Sequence, residues 1–193
     1  MANATGSLIE PKQIAKKPRQ MSFTAFYKKY AARVDGFKYE WNDGFIEKTD
    51  AIKQEELYIV ENLTDFLYSI KSLIGGILTS EIETWTSDVK WRKPDMAYFS
   101  KAQITMASEK INTIPTFVIE LVSKNDDVND ILDKNIEYFK AGVKVVWWIF
   151  PKQKQVHVYN SYNDVMICDA ETICSAEAAV PYFSLTVDAI FKK

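Results

Sequence analysis

The sequence predicts an α/β fold with a mixed central sheet flanked by helices, on three observations. Thr116 to Val122 is a run apolar on both faces. A helical pattern follows from about Val128 to Lys140, and then the most hydrophobic run, Val143 to Phe150. That strand–helix–strand order is a right-handed crossover joining parallel strands. Upstream, Phe37-Lys38-Tyr39-Glu40-Trp41 alternates with period two, and Asn42-Asp43-Gly44 supplies a hairpin turn before Phe45-Ile46-Glu47-Lys48 returns. Between these regions lies the longest helical pattern, about Ile52 to Ile74. Leu57, Val60, Leu63, Leu67 and Ile70 recur there at helical spacing, and Gly75-Gly76 stops it.

The remaining elements follow from local chemistry. Residues 1–20 read as a polar tail, with Pro11 and Pro18 bracketing Lys12, Lys16 and Lys17 and Arg19 following; residues 21–193 read as a single domain without a linker or repeat. Ser22 can cap a short helix with the stripe Phe23, Phe26, Tyr27 and Tyr30. Ile77 to Thr86 predicts a strand, with Val89 to Arg92 continuing the extended path. Pro94 keeps Lys93 out of the helical region, so Asp95 leads rigidly into a strand at Met96 to Phe99. A polar excursion reaches Pro115. Beyond Phe150, a turn at Lys152 to Gln155 precedes an antiparallel strand, Val156 to Tyr159. Val165 to Cys168 adds another strand, and Pro181 to Val187 a closing edge before a short last helix.

Composition bounds the function. A chain of 193 residues can bury one sizeable core, and 47% hydrophobic with 26% charged residues is globular rather than disordered. No apolar run is long enough to span a membrane, and the first residues lack a secretory pattern. Cys168 and Cys174 have no metal-binding neighbours in sequence, so a reducing cytoplasm is the expected location. A net charge of -2 argues against strong standing affinity for nucleic acid, but a site that gathers carboxylates around a cation must itself be acidic.

The chemistry-bearing feature is a pair of carboxylates. Asp95 opens one strand, and Glu120 lies inside the otherwise apolar run Thr116 to Val122. A carboxylate there is costly to desolvate unless a positive group meets it, and a second one nearby raises the cost. A hard divalent cation such as Mg²⁺ resolves both problems, so Asp95 and Glu120 are the candidate metal ligands. The plainer alternative is that Glu120 faces out at a strand end and pairs with a lysine. Lys134, on the following helix, is the candidate cationic partner, with Asp130 one turn back to hold it; a solvated helix face shows the same spacing. His157, the only histidine, is expected to be exposed on its strand, and Trp147 and Trp148 to be core or subunit-contact residues.

These pieces resemble a known family. Pro94-Asp95, then Pro115 through Glu120 to Ser123, then Asp130, Lys134, Tyr138, Ala141-Gly142-Val143 and Trp148-Ile149-Phe150-Pro151, are similar to the Uma2 (DUF820) family of the PD-(D/E)XK nuclease superfamily. The resemblance includes the hairpin Tyr39 to Ile46 and the closing Pro181 to Leu185, and covers roughly residues 37–190. It implies a restriction-endonuclease-like fold and a Mg²⁺- or Mn²⁺-dependent endonuclease acting on DNA, with a homodimer expected. In that scheme Asp95 and Glu120 bind the metal, and Glu40 adds a ligand or supporting contact. Lys134 orients the attacking water and offsets charge on the phosphorane. Val122 stands where the superfamily pattern has a lysine, and Lys134 takes the place of a helix lysine typical of the family. Gln54 stands where the family often has histidine, which favours an alternative: a catalytically weak or inactive nuclease fold that binds nucleic acid or protein.

Overall fold

The computed structural model describes residues 20–193; the basic cluster of the predicted tail lies outside the described residues. Helix α1 (Phe23–Phe26), capped by the Ser22 hydroxyl, continues as a π-helical turn over Tyr27–Ala31. The predicted hairpin is β1 (Phe37–Asn42) and β2 (Phe45–Asp50). A 3-10 turn at Gln54–Glu56 leads into α2 (Leu57–Ile74), which ends at Gly75.

The predicted strand over 77–86 is two strands. It breaks after β3 (Ile77–Ser80) and restarts as β4 (Thr84–Ser87), which pairs with β5 (Lys90–Arg92). Glu81, with φ 51, makes the corner, and its N–H donates to the Pro94 and Asp95 carbonyls. Strand β6 (Met96–Phe99) follows as expected. The polar excursion contains a helix, α3 (Lys101–Ser108), started by a capping box of Ser100 and Gln103. It buries no residue, which is why hydrophobic periodicity does not announce it.

The crossover comprises β7 (Phe117–Leu121), α4 (Val128–Ala141) and β8 (Val145–Phe150), with β7 and β8 parallel. Strands β9 (Gln155–Ser161) and β10 (Asp164–Asp169) form a hairpin antiparallel to β8. The closing edge is a two-stranded ribbon of β11 (Ile173–Ser175) and β12 (Ser184–Thr186), followed by α5 (Val187–Ile190).

The mixed six-stranded sheet has the order β10-β9-β8-β7-β6-β3, and a smaller antiparallel sheet has the order β2-β1-β5-β4. Alternation along β7 and β8 divides the core. Phe117, Ile119, Trp147 and Ile149 join Ile59, Leu63 and Leu67 of α2 on one face, while Val118, Val146 and Trp148 meet Tyr138 of α4 on the other. The small sheet packs Tyr39 and Trp91 against Phe26 of α1. Its opposite face carries Lys38, Glu40 and Arg92, all buried.

The α2–β3 junction is tight. Gly76 has φ +75, and a Cβ there would lie 2.5 Å from the Tyr98 hydroxyl and 2.6 Å from the Phe99 carbonyl. Gly36, at φ +84, has nothing within 4 Å. Gly76→Ala should therefore cost about 2 kcal/mol or more, and Gly36→Ala about 1 kcal/mol from backbone strain alone. Urea unfolding midpoints of the two variants check this order; equal losses would mean that the contact at Gly76 does not matter.

Candidate functional site

Glu120 belongs to the same strand face as Val118, the face that α4 covers. Residues one turn apart on α4 therefore overlook it: Lys134 Nζ lies 2.9 Å from Glu120 Oε1, and the Tyr138 hydroxyl donates to the same oxygen at 2.5 Å. Antiparallel pairing of β6 with β7, with Met96 opposite Ile119, brings Asp95 alongside. The Leu121 N–H donates to Asp95 Oδ2 at 2.7 Å, and the Asp95 N–H to Glu120 Oε2 at 3.3 Å. The structure thus brings Asp95, Glu120 and Lys134 together, at the end of β7 where the sequence places them.

The buried face of β1 completes the cluster. Glu40, fully buried, accepts from the Lys93 N–H at 2.7 Å and pairs with Lys134 at 3.1 Å and Arg92 at 3.1 Å. Lys38 donates to Asp95 Oδ1 at 2.6 Å, to the Lys93 carbonyl at 3.1 Å and to Glu120 Oε2 at 3.5 Å. Arg92 reaches on to Glu137 at 2.6 Å and to Glu47. Glu137 also accepts from Thr86 and, at 2.9 Å, from Lys90.

The electrostatics follow. Burial pushes the Asp95 carboxyl up to about 7, against the pull of Lys38 and with Glu120 adding to the rise. Burial would raise Glu120 too, but Lys134 and Lys38 outweigh it and hold that carboxyl below its ordinary value. Glu40 is held at about 2, because Lys134, Arg92 and Lys38 together overcome its desolvation. Lys134 keeps its proton more firmly than a free lysine: burial opposes this, and Glu120 and Glu40 outweigh burial. Of the close carboxylates, Asp95 is the one that takes a proton first.

Several expectations need correction. Asp130 is exposed, and the ion pairs of Lys134 run to Glu40 and Glu120 instead. Gln54 is exposed on its 3-10 turn and does not line the cleft beside the acidic cluster. His157 is half-buried rather than exposed, with its ring 4.3 Å from that of Phe150. Trp147 and Trp148, by contrast, are core residues as expected. Sequence reading missed Lys38, Arg92 and Glu137. Their signal was present: Lys38 and Glu40 share one face of β1. But a strand with alternating charge reads as solvated on that face.

Above the cluster is a cleft of about 330 Å³, lined by Lys38, Glu40, Asp95, Glu120 and Lys134 and, at its mouth, by Asp126, Asp127 and Asp130. Carboxylate and carbonyl oxygens are the donor type a hard cation takes, so Asp95 and Glu120 fit the Mg²⁺ that the resemblance implies. Among the described residues, no set of three His, Cys, Asp or Glu side chains is arranged to hold a metal ion. Between Asp95 and Glu120 stands the Lys38 ammonium.

The family model Uma2, described as "Putative restriction endonuclease", matches residues 24–188. Among solved structures, the chain is similar to "a putative nuclease belonging to DUF820 from Anabaena variabilis ATCC 29413", with a TM-score of 0.73 and 17% identity over 89% of this chain and 97% of that one. At that identity the likeness is one of fold. No curated protein matches.

Glu137 allows a test of the ion network away from the cleft. Burial raises its pKa, but Arg92 outweighs burial, so the folded value lies below the ordinary one. A carboxyl depressed on folding adds stability that is present above its unfolded pKa, near 4.5, and is lost as pH falls through the lower folded value. Glu137→Gln should cost about 3 kcal/mol at pH 7, since it strips a buried arginine of one partner. Urea unfolding of both proteins at neutral and acid pH should show that difference shrinking on acidification. A constant difference would assign the effect to packing.

Proposed function

The chain belongs to the Uma2 family, and on that premise we propose that it is a metal-dependent nuclease that hydrolyses phosphodiester bonds in DNA. The observation that carries the reading is the convergence of Asp95, Glu120 and Glu40, all buried, with Lys134 under an open cleft. Buried charges of this kind are weak stabilisers and are favoured where chemistry needs them. Asp95 and Glu120 are the residues that would hold Mg²⁺ or Mn²⁺, with Glu40 beside them. The cation would supply Lewis-acid polarisation of the phosphoryl group and a more acidic water.

The chain's own groups have separable tasks. Tyr138 fixes the Glu120 carboxylate through its hydroxyl, leaving that side chain one orientation. Glu40 and Glu120 hold the Lys134 ammonium at the base of the cleft, charged over the whole physiological range. There it can hydrogen-bond an attacking water or a phosphoryl oxygen and offset charge as it develops. The acidic mouth, with Asp126, Asp127 and Asp130, repels a bare phosphate backbone, which suits a reaction that needs a cation. The reading extends to a homodimer, since two copies can cut both strands of a duplex. A second reading, a nuclease fold that binds without cutting, is favoured by Lys38, which neutralises the acidic pair without any metal.

Cleavage assays on duplex DNA, single-stranded DNA and RNA with Mg²⁺ or Mn²⁺ test the proposal. Wild type should cleave DNA, Asp95→Asn should not, and Lys134→Met should lower the single-turnover rate by roughly 10²-fold with little change in DNA binding. Equal rates for Lys134→Met remove it from the mechanism. No cleavage of any substrate by wild type overturns the nuclease reading in favour of the second.

A further inference from the structure

We propose that the Lys38 ammonium stands in the place of the divalent cation, so that metal enters between Asp95 and Glu120 only by displacing Lys38; this rests on the reading of the pocket as a metal site. Nζ of Lys38 meets two carboxylate oxygens, at 2.6 Å from Asp95 and 3.5 Å from Glu120, and a backbone carbonyl, that of Lys93, at 3.1 Å. Those are the hard oxygen types that Mg²⁺ and Mn²⁺ draw on. The other oxygens of the pair are also engaged. Asp95 Oδ2 accepts from the Leu121 N–H, and Glu120 Oε1 from Tyr138 and Lys134.

An ammonium and a dication cannot share these oxygens, because like charges at such range repel and the site is shielded from solvent: the Lys38 side chain is 3% exposed. Asp95 and Glu120 already meet Lys38, and Glu120 also meets Lys134, so a dication added between the two acids without removing Lys38 would crowd like charges into a buried site. Lys38 has somewhere to go. It lines the cleft, its four-carbon stem is flexible, and Asp126, Asp127 and Asp130 line the same cleft as alternative partners. Lys38 thus acts as a built-in competitor that keeps metal affinity low and the metal-free site closed.

Calorimetric titration of Mn²⁺ into the full chain tests this without reference to activity. Lys38→Met should bind Mn²⁺ at least tenfold more tightly than wild type, and adding Asp95→Asn to that variant should abolish the gain. Affinities within threefold of one another would overturn the proposal while leaving the metal reading intact. A gain that survives Asp95→Asn would overturn it by placing the binding elsewhere. Binding to neither protein would overturn both. If Lys38→Met does not fold, Lys38→Gln repeats the comparison, and wild type alone suffices as a last arm. Its Lys38 ammonium ¹⁵N signal should lose protection from exchange as Mg²⁺ occupies the site, and an unchanged signal at an occupancy confirmed by calorimetry would overturn the proposal.

Discussion

A carboxylate buried near the end of a central strand must be met by positive charge, and in this protein the way Glu120 is met organises much of the tertiary structure. The helix that returns over β7 brings Lys134 and Tyr138 to it, and the small sheet brings Lys38. Each of those groups then needs company of its own. Lys134 is shared with Glu40, Glu40 with Arg92, and Arg92 with Glu137 and Glu47. The result is a continuous ionic layer between the small sheet and the α4 face of the large one.

This layer explains why the small sheet docks with its charged face inward. Tyr39 and Trp91 pack under the N-terminal helix, and the apolar side of the sheet is used up there. What remains to face β7 and α4 is Lys38, Glu40, Lys90 and Arg92; the three cations find carboxylates there, and Glu40 finds Lys134. Desolvating so many ions gains little stability over an apolar interface of the same size. Its value lies in a preorganised cluster whose charges are held at defined positions beneath an open cleft. The two buried acids that Lys38 joins also separate in character: Asp95 is pushed toward the neutral form, and Glu120 is kept ionised.

Legibility from sequence followed burial pattern. The β1–β2 hairpin was announced by its Asn42-Asp43-Gly44 turn, while the crossover and its parallel strands, α2 and β9 bury apolar residues in runs or at a regular period and could be read directly. Helix α3 could not, because it buries nothing, and the break between β3 and β4 could not, because it depends on a corner at Glu81 that puts the two halves in different sheets. Within the site, Asp95, Glu120 and Lys134 were visible as charges out of place or at a telling spacing. Lys38 and Arg92 were not, since each sits on a strand whose alternation is that of an ordinary exposed face.

By itself the sequence determined the α/β class, the parallel pair and the conjunction of Asp95 with Glu120, because these rest on local periodicity and on strands that follow one another in the chain, and its motifs carried the family likeness. Tertiary structure alone decided that Lys38 joins in answering those carboxylates and what holds Lys134. Sequence reading proposed Lys134 as the cationic partner, with Asp130 to hold it. The fold pairs Lys134 with Glu120, puts Glu40 in the place given to Asp130, and sets Lys38 between the acids. The reason is physical: an ion pair is fixed by distance in space and by exclusion of water, and Lys38 lies 57 and 82 residues from the two carboxylates it joins. No periodicity reports a contact of that kind until one sheet has been laid on the other.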